Sequence, residues 1–448
     1  MPPPFTFVDL FAGVGGFHHA LSAPGFDGRC ELAVEIDSGC RDVYSEAFKE
    51  TRLVSDIRSI TRHRHADGTI DDATEEQIRK IVPRHDVLCA GFPCQPFSKS
   101  GSQRGLRDKI RGTLFFDIME IVRARMPRFL ILENVPNLVG PRHRETWRLM
   151  IEAIRDAGYR VSETPVVISP HRLPPPLGSP QVRDRVFFLA HRDPLLASRD
   201  EGPLAHKNSE AYWSPRTWRL DEGLLDTGDP GLAYAIRPVE RTWLNAWDAF
   251  VRGLPDDYLP GFPIWVQAWL EEVPAIDDAP RWKVDFHEKN AAFYKRHKPF
   301  LDQWLKEVWD DAGSTVLDFP LSRRKFEWQA RRVHPTRDGR TIWDLLIHLR
   351  PSGIRVKPAD YFPALVAINQ TSIVGELRRR ITPREAARLQ GIPFDPFERA
   401  AASDADIYKQ LGNAVNVGVV QYVASLLFAH GGERWGSTLQ LELPRVGA

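Results

Sequence analysis

Cys94 stands in Gly91-Phe92-Pro93-Cys94-Gln95-Pro96-Phe97-Ser98, directly after the apolar run Asp86-Val87-Leu88-Cys89-Ala90 and before a polar, Gly/Ser-rich segment at 99–105. The run reads as a buried strand, which puts the thiol at a strand end, where open α/β sheets bind their ligands. Pro93 and Pro96 stiffen the turn that presents it, and two prolines beside a polar loop make poor core, so Cys94 is a candidate nucleophile. A second buried run, Phe129-Leu130-Ile131-Leu132, leads into Glu133-Asn134-Val135 and puts an acid at another strand end. A third strand, Gln181 to Ala190, starts polar and basic. Arg183 and Arg185 alternate in it and would reach one polar target from one face, unless they form a surface ion-pair ladder.

These groups need elements to position them. Phe5 to Leu10 reads as a strand, followed by Phe11-Ala12-Gly13-Val14-Gly15-Gly16-Phe17 and a helical pattern. Glycines between strand and helix let the backbone approach a cofactor closely. The dinucleotide fingerprint is excluded, because its third glycine would fall at His18. The next strand, Glu31 to Ile36, ends in Glu35, placed to accept ribose hydroxyls. Leu53-Val54 leads to Asp56, which would meet an adenine amine, and Ile57, which would pack on the ring. In a parallel sheet the glycine loop, thiol and carboxylate converge on one edge.

The composition, with 27% charged and 42% hydrophobic residues in 448, is that of a globular protein. No apolar run approaches a membrane span, and Met1-Pro2-Pro3-Pro4 leads straight into a strand, so an intracellular protein is expected. Four cysteines without paired metal spacing argue against a disulfide framework and a zinc module, and Cys30, Cys40 and Cys89 read as packing residues. A net charge of +1 excludes a globally basic nucleic-acid binder and leaves local patches. Thr61 to Asp72 reads as a solvated loop. From His191 to Arg380 the strand-turn-helix rhythm is lost and eleven of the thirteen tryptophans occur, which suggests a second domain. Within it, Asp285 to Trp309 reads as an amphipathic helix with a largely aromatic inner face. Arg323, Arg324, Arg331, Arg332, Arg337 and Arg340 form a basic stretch suited to phosphates. Thr382, Pro383 and Glu385 form a helix start, and Asn413 caps the last helix or holds a ligand.

In this order and spacing, the motifs at Phe7 to Phe17, Gly91 to Ser98, Arg111 to Phe116, Glu133 to Val135, Gln181 to Arg185, Arg380 to Gln390 and Tyr408 to Val415 resemble the DNA (cytosine-5) methyltransferase family of bacteria and phages. The resemblance covers residues 1 to about 190 and about 360 to 430. It implies an α/β, Rossmann-like S-adenosylmethionine-dependent fold: a mostly parallel sheet with helices on both faces, closed by the C-terminal helix, plus a smaller target-recognition domain. The expected boundaries are 1–190 with 405–448 for catalysis and 191–404 for recognition. It implies that Phe11, Gly13, Gly15, Glu35, Ile36, Asp56, Ile57, Pro93, Leu114 and Asn413 hold S-adenosylmethionine, whose product is S-adenosylhomocysteine, and that no metal is used.

The implied chemistry explains these residue types. Cytosine C5 is a poor nucleophile until a thiolate adds to C6, so Cys94 would add there, Glu133 would protonate N3 and Arg185 would stabilise O2. Arg183 would support that contact or hold phosphate. The base must be flipped from the duplex, with residues 98–108 as the lid. Ser98, Gln103, Arg104, Arg107, Arg323, Arg324 and Arg340 are the expected DNA contacts. The implied partner is double-stranded DNA with a short specific sequence. The protein is expected to be a cytoplasmic monomer without membrane contact, compatible with a separately acting restriction endonuclease. A structured-RNA methyltransferase of the same fold, a silent nucleic-acid binder and a nicotinamide oxidoreductase are the competing readings.

Overall fold

The structure, a computed structural model, describes residues 5–93, 113–202, 214–228, 230–334, 337–365 and 371–430. The chain divides into two compact units, Met1–Trp218 with Pro363–Ile368 and Ala386–Ala448, and Arg219–Phe362 with Asn369–Glu385.

The first unit is built on eight strands: β1 (Thr6–Leu10), β2 (Arg29–Val34), β3 (Leu53–Val54), β4 (Val87–Gly91), β5 (Phe129–Asn134), β6 (Tyr159–Val161), β7 (Val166–Ile168) and β8 (Arg185–Arg192). Their order is β3-β2-β1-β4-β5-β8-β6, with β7 also on β8. β1 to β5 run parallel and β8 is antiparallel to β5. Strands such as β4 and β5 are nearly all apolar because helices cover both faces of a parallel sheet. The helix Leu114–Arg125, capped by the Thr113 hydroxyl accepting the Phe116 N–H at 3.1 Å, buries Phe115, Phe116, Ile118, Met119, Ile121 and Val122. On the other face the C-terminal helix Val417–His430 sets Phe428 against Phe5 and Phe129, with ring centroids 5.3 and 5.1 Å apart.

Asp404–Asn413 and Val417–His430 together have the length and apolar composition of a membrane span, but the backbone is extended at Ala414 between them and 72% of the apolar window is buried within the protein. The polar segment after Thr61 is not all loop, because Arg62–Arg64 and Ile70–Asp72 pair as a small hairpin.

The second unit carries a six-stranded sheet in the order Ile264–Trp265, Lys325–Trp328, Gly353–Lys357, Leu346–Arg350, Ile373–Val374, Arg379–Arg380. Its tryptophans build a core. Trp247 stacks on Phe326 at 4.7 Å and donates to the Arg323 carbonyl at 2.8 Å, and Trp304 donates to the Ala246 carbonyl at 2.8 Å. The long helix runs Arg281–Lys306, kinked at His297 just before Pro299.

The unit boundaries differ from those read in the sequence: 191–218, 363–368 and 386–404 fall in the first unit. Trp218 donates to the His171 carbonyl at 2.9 Å, and Ser179 Oγ donates to the Leu389 carbonyl at 2.7 Å. Tryptophan density changes where composition changes, and these contacts ignore it.

Candidate active site

β1, β2, β4 and β5 end on a common edge, beside a cavity of about 410 Å³. Phe11, Gly13, Glu35, Ile36, Asp56, Ile57, Pro93, Leu114, Glu133, Arg185 and Asn413 all line it. The glycine loop holds its shape through Glu35, whose two carboxylate oxygens accept the Gly13 and Asp37 N–H groups, each at 2.8 Å. Phe11 (φ 58°) and Gly13 (φ 55°) both take left-handed backbone at the strand exit. A Cβ on Gly13 would meet no atom within 4 Å, so the open cradle faces space. Ile36, 71% exposed, contributes apolar surface to the cavity together with Phe11, Ile57 and Leu114, as a flat ring requires.

Gly15 is a correction. It lies off the cavity wall, and a Cβ there would sit 2.4 Å from the Phe48 ring, so this glycine serves close packing under the loop.

The chemistry-bearing end is made by β4, β5 and β8. Glu133 pairs in register with Gly91 and with Phe187. A Cβ on Gly91 would approach Glu133 Oε2 to 3.3 Å, so the bare glycine leaves the carboxyl its room. Arg185 Nε lies 2.8 Å from Glu133 Oε1, forming an ion pair, while its Nη1 donates to the Asp184 carbonyl at 2.8 Å. Burial pushes the Glu133 carboxyl above its ordinary value, while Arg185 and Arg183 pull the other way, and the shift stays upward. A buried acid beside a fixed guanidinium can hand over a proton and stabilise charge on a neighbouring oxygen.

Asn134, next to Glu133, also lines the cavity, although the sequence motif assigns it no role. Its amide donates to the Phe92 carbonyl at 2.8 Å, which ties the exit of β4, immediately before Pro93 and Cys94, to β5. Its place in Glu133-Asn134-Val135 was the available signal. Lys409 and Asp37, also cavity residues, form an ion pair at 3.1 Å, and Lys409 with the Cys40 N–H holds Asp37 below the usual carboxylate range.

Arg183 is corrected. The strand starts only at Arg185, so the alternation that would place both arginines on one face does not apply. Arg183 is buried and donates to the Gly412 and Ala414 carbonyls at 2.9 and 2.5 Å, and to the Leu365 carbonyl at 3.3 Å. It cannot hold phosphate there; it positions the segment that carries Asn413. Replacing it with methionine leaves buried carbonyls unpaired and is expected to cost about 3 kcal/mol in urea unfolding. Unchanged stability would show that those bonds hold nothing together.

Arg340 is also corrected. It is buried and donates to the carbonyls of Val251, Leu254, Asp256 and Asp257, so it braces the second unit and faces no DNA. Arg323 and Arg324 are half-buried, donating to the Arg350 and Phe319 carbonyls, each at 2.7 Å. Cys94, Ser98, Gln103, Arg104 and Arg107 lie outside the described residues. The described thiols, Cys30, Cys40 and Cys89, are all pushed up by burial and stay protonated.

The chain is 39% identical to the Type II methyltransferase M.AluI of Cellulosimicrobium cellulans, over 94% of this chain and 91% of that protein. It is 36% identical to the Type II methyltransferase M.HpaII of Haemophilus parainfluenzae, over 93% and 87%. A family model for C-5 cytosine-specific DNA methylase matches residues 5–223 and 295–429, which contain every strand end and helix that lines the cavity. The chain belongs to the C-5 cytosine-specific DNA methylase family.

Proposed function

We propose that this protein methylates C5 of a cytosine flipped out of a specific site in duplex DNA, as the modification enzyme of a restriction-modification system working in the cytoplasm of a bacterial cell. The observation that carries this reading is the Glu133–Arg185 pair, 2.8 Å apart on adjoining strands, in the wall of the same cavity as the Gly13–Glu35 loop. S-adenosylmethionine fits that loop. Glu35 would take the ribose hydroxyls, Asp56 the adenine amine, and Phe11, Ile36, Ile57 and Leu114 the ring faces; when bound, it supplies an electrophilic methyl group on a sulfonium.

The chain's own residues then prepare the base. The Cys94 thiolate forms a bond to C6, Glu133 delivers its proton to N3, and Arg185 donates to O2, so the electron pair displaced from the C5–C6 bond makes C5 nucleophilic. Once C5 carries the methyl group, a base removes the C5 proton, the C6–S bond breaks to restore the thiolate, and the N3 proton returns to the Glu133 carboxylate. Incubation with tritiated cofactor and matched DNA and RNA duplexes, followed by bisulfite sequencing, tests the reading. Label confined to RNA, or in neither, overturns it.

Arg323 and Arg324 are the proposed phosphate contacts in the second unit. Alanine at each is expected to weaken binding similarly across DNA sequences and to reduce the salt slope by about 1. An unchanged slope returns both residues to their carbonyl-bracing role.

A further inference from the structure

β8 carries a second cluster at its far end. Arg185 lies beside Glu133, but His191 pairs in register with Phe129 at the start of β5, six residues along, or about 20 Å from the reacting groups. Here His191, Glu201 in the loop after β8, and His430 at the end of the C-terminal helix bring two imidazole nitrogens and a carboxylate oxygen within 4.8 Å of one another. Glu201 is held in a fixed orientation. Its side chain is 1% exposed, its Oε1 contacts His430 Nε2, and its Oε2 lies 2.9 Å from Arg160 Nε and 3.7 Å from His191 Nδ1.

The cluster is close but not satisfied. Among the described residues, His191 Nδ1, Glu201 Oε2 and Arg160 Nε are buried and make no hydrogen bond, Arg160 and Glu201 meeting only as an ion pair. A buried imidazole nitrogen without a hydrogen-bond partner, as at His191, is uncommon and calls for one. The donor set restricts what that partner is. Magnesium and calcium require oxygen cages, whereas two imidazoles and one carboxylate suit zinc and its neighbours, with a fourth position open to water. Arg160, on β6, supplies an ion-pair contact to Oε2 of the kind such sites use to orient a ligating carboxylate.

We propose that His191, Glu201 and His430 bind one divalent transition-metal ion, zinc by preference, and that this ion fastens the C-terminal helix and the loop after β8 to the sheet. The site is structural. It stands apart from the methylation reading, because no residue of it lines the cavity.

The full chain, free of any polyhistidine tag and stripped with a chelator, would be titrated with zinc by calorimetry and with cobalt by visible absorption. One ion per chain, a cobalt d–d band and a higher thermal midpoint with zinc are expected. Glu201→Gln and His430→Gln should each weaken zinc at least about tenfold and abolish the rise in midpoint. His430 is partly exposed at a helix end, so its variant is expected to fold, and circular dichroism checks both. Methyl transfer should be unchanged by zinc or chelator. Absence of binding, or binding that both variants retain, overturns the proposal and leaves an ion-pair network.

Discussion

With Cys94 replaced by alanine, methyl transfer to DNA is expected to fall by at least about 10⁴-fold, while S-adenosylhomocysteine still binds by calorimetry. The first half follows from the chemistry, since without a bond at C6 the C5 carbon has no electron density to give. No other described thiol can substitute, because burial keeps Cys30, Cys40 and Cys89 protonated. The second half follows from the cavity, whose walls come from the ends of β1, β2, β4 and β5 and from Leu114 and Asn413. An alanine variant that keeps substantial activity would remove Cys94 from the reaction. Lost cofactor binding would instead show that the substitution had disturbed the cavity.

Glu133→Gln is expected to lower kcat by about 10³-fold with DNA and cofactor affinity retained, because the amide keeps the size and polarity of the carboxyl beside Arg185 but has no proton to transfer. The pH dependence distinguishes this role from a merely structural one. The wild-type carboxyl is raised by burial, so it holds its proton at pH values where an ordinary carboxylate has lost it. Activity that needs the acid form should therefore fall as pH rises through the raised value, and the variant's residual rate should be flat there. Stability has the same sign. The folded state keeps a proton that the unfolded chain releases, so the contribution of Glu133 is complete below the ordinary carboxylate range and is lost as pH rises through the folded value. A variant with the wild-type pH profile would sink the proton-donor assignment.

Neighbouring residues alone reveal much of the cavity. The strand–glycine–helix start at Phe5 to Phe17, the acid ending β2, and the apolar runs before Pro93 and Glu133 are all local patterns, set by backbone periodicity and by turn residues that need no distant partner. Given a parallel sheet, their meeting at one edge follows, and the cavity lined by Gly13, Glu35, Pro93 and Glu133 lies there.

Where the sequence misleads, the deciding partner is far along the chain. Arg183 resembles Arg185 in spacing, yet its guanidinium is taken by carbonyls about 230 residues away. Arg340 sits in a basic run, yet four backbone oxygens at 251–257 enclose it. Charge runs tell nothing about which arginines have already found acceptors, because a buried carbonyl has no signature in sequence.

The order of motifs along the chain thus determined the family, the sheet and most of the cavity, since each is written in neighbouring residues. Tertiary packing alone decided which arginines find buried acceptors, where the units divide and that His191, Glu201 and His430 meet, because those outcomes depend on groups that approach only when the whole chain closes.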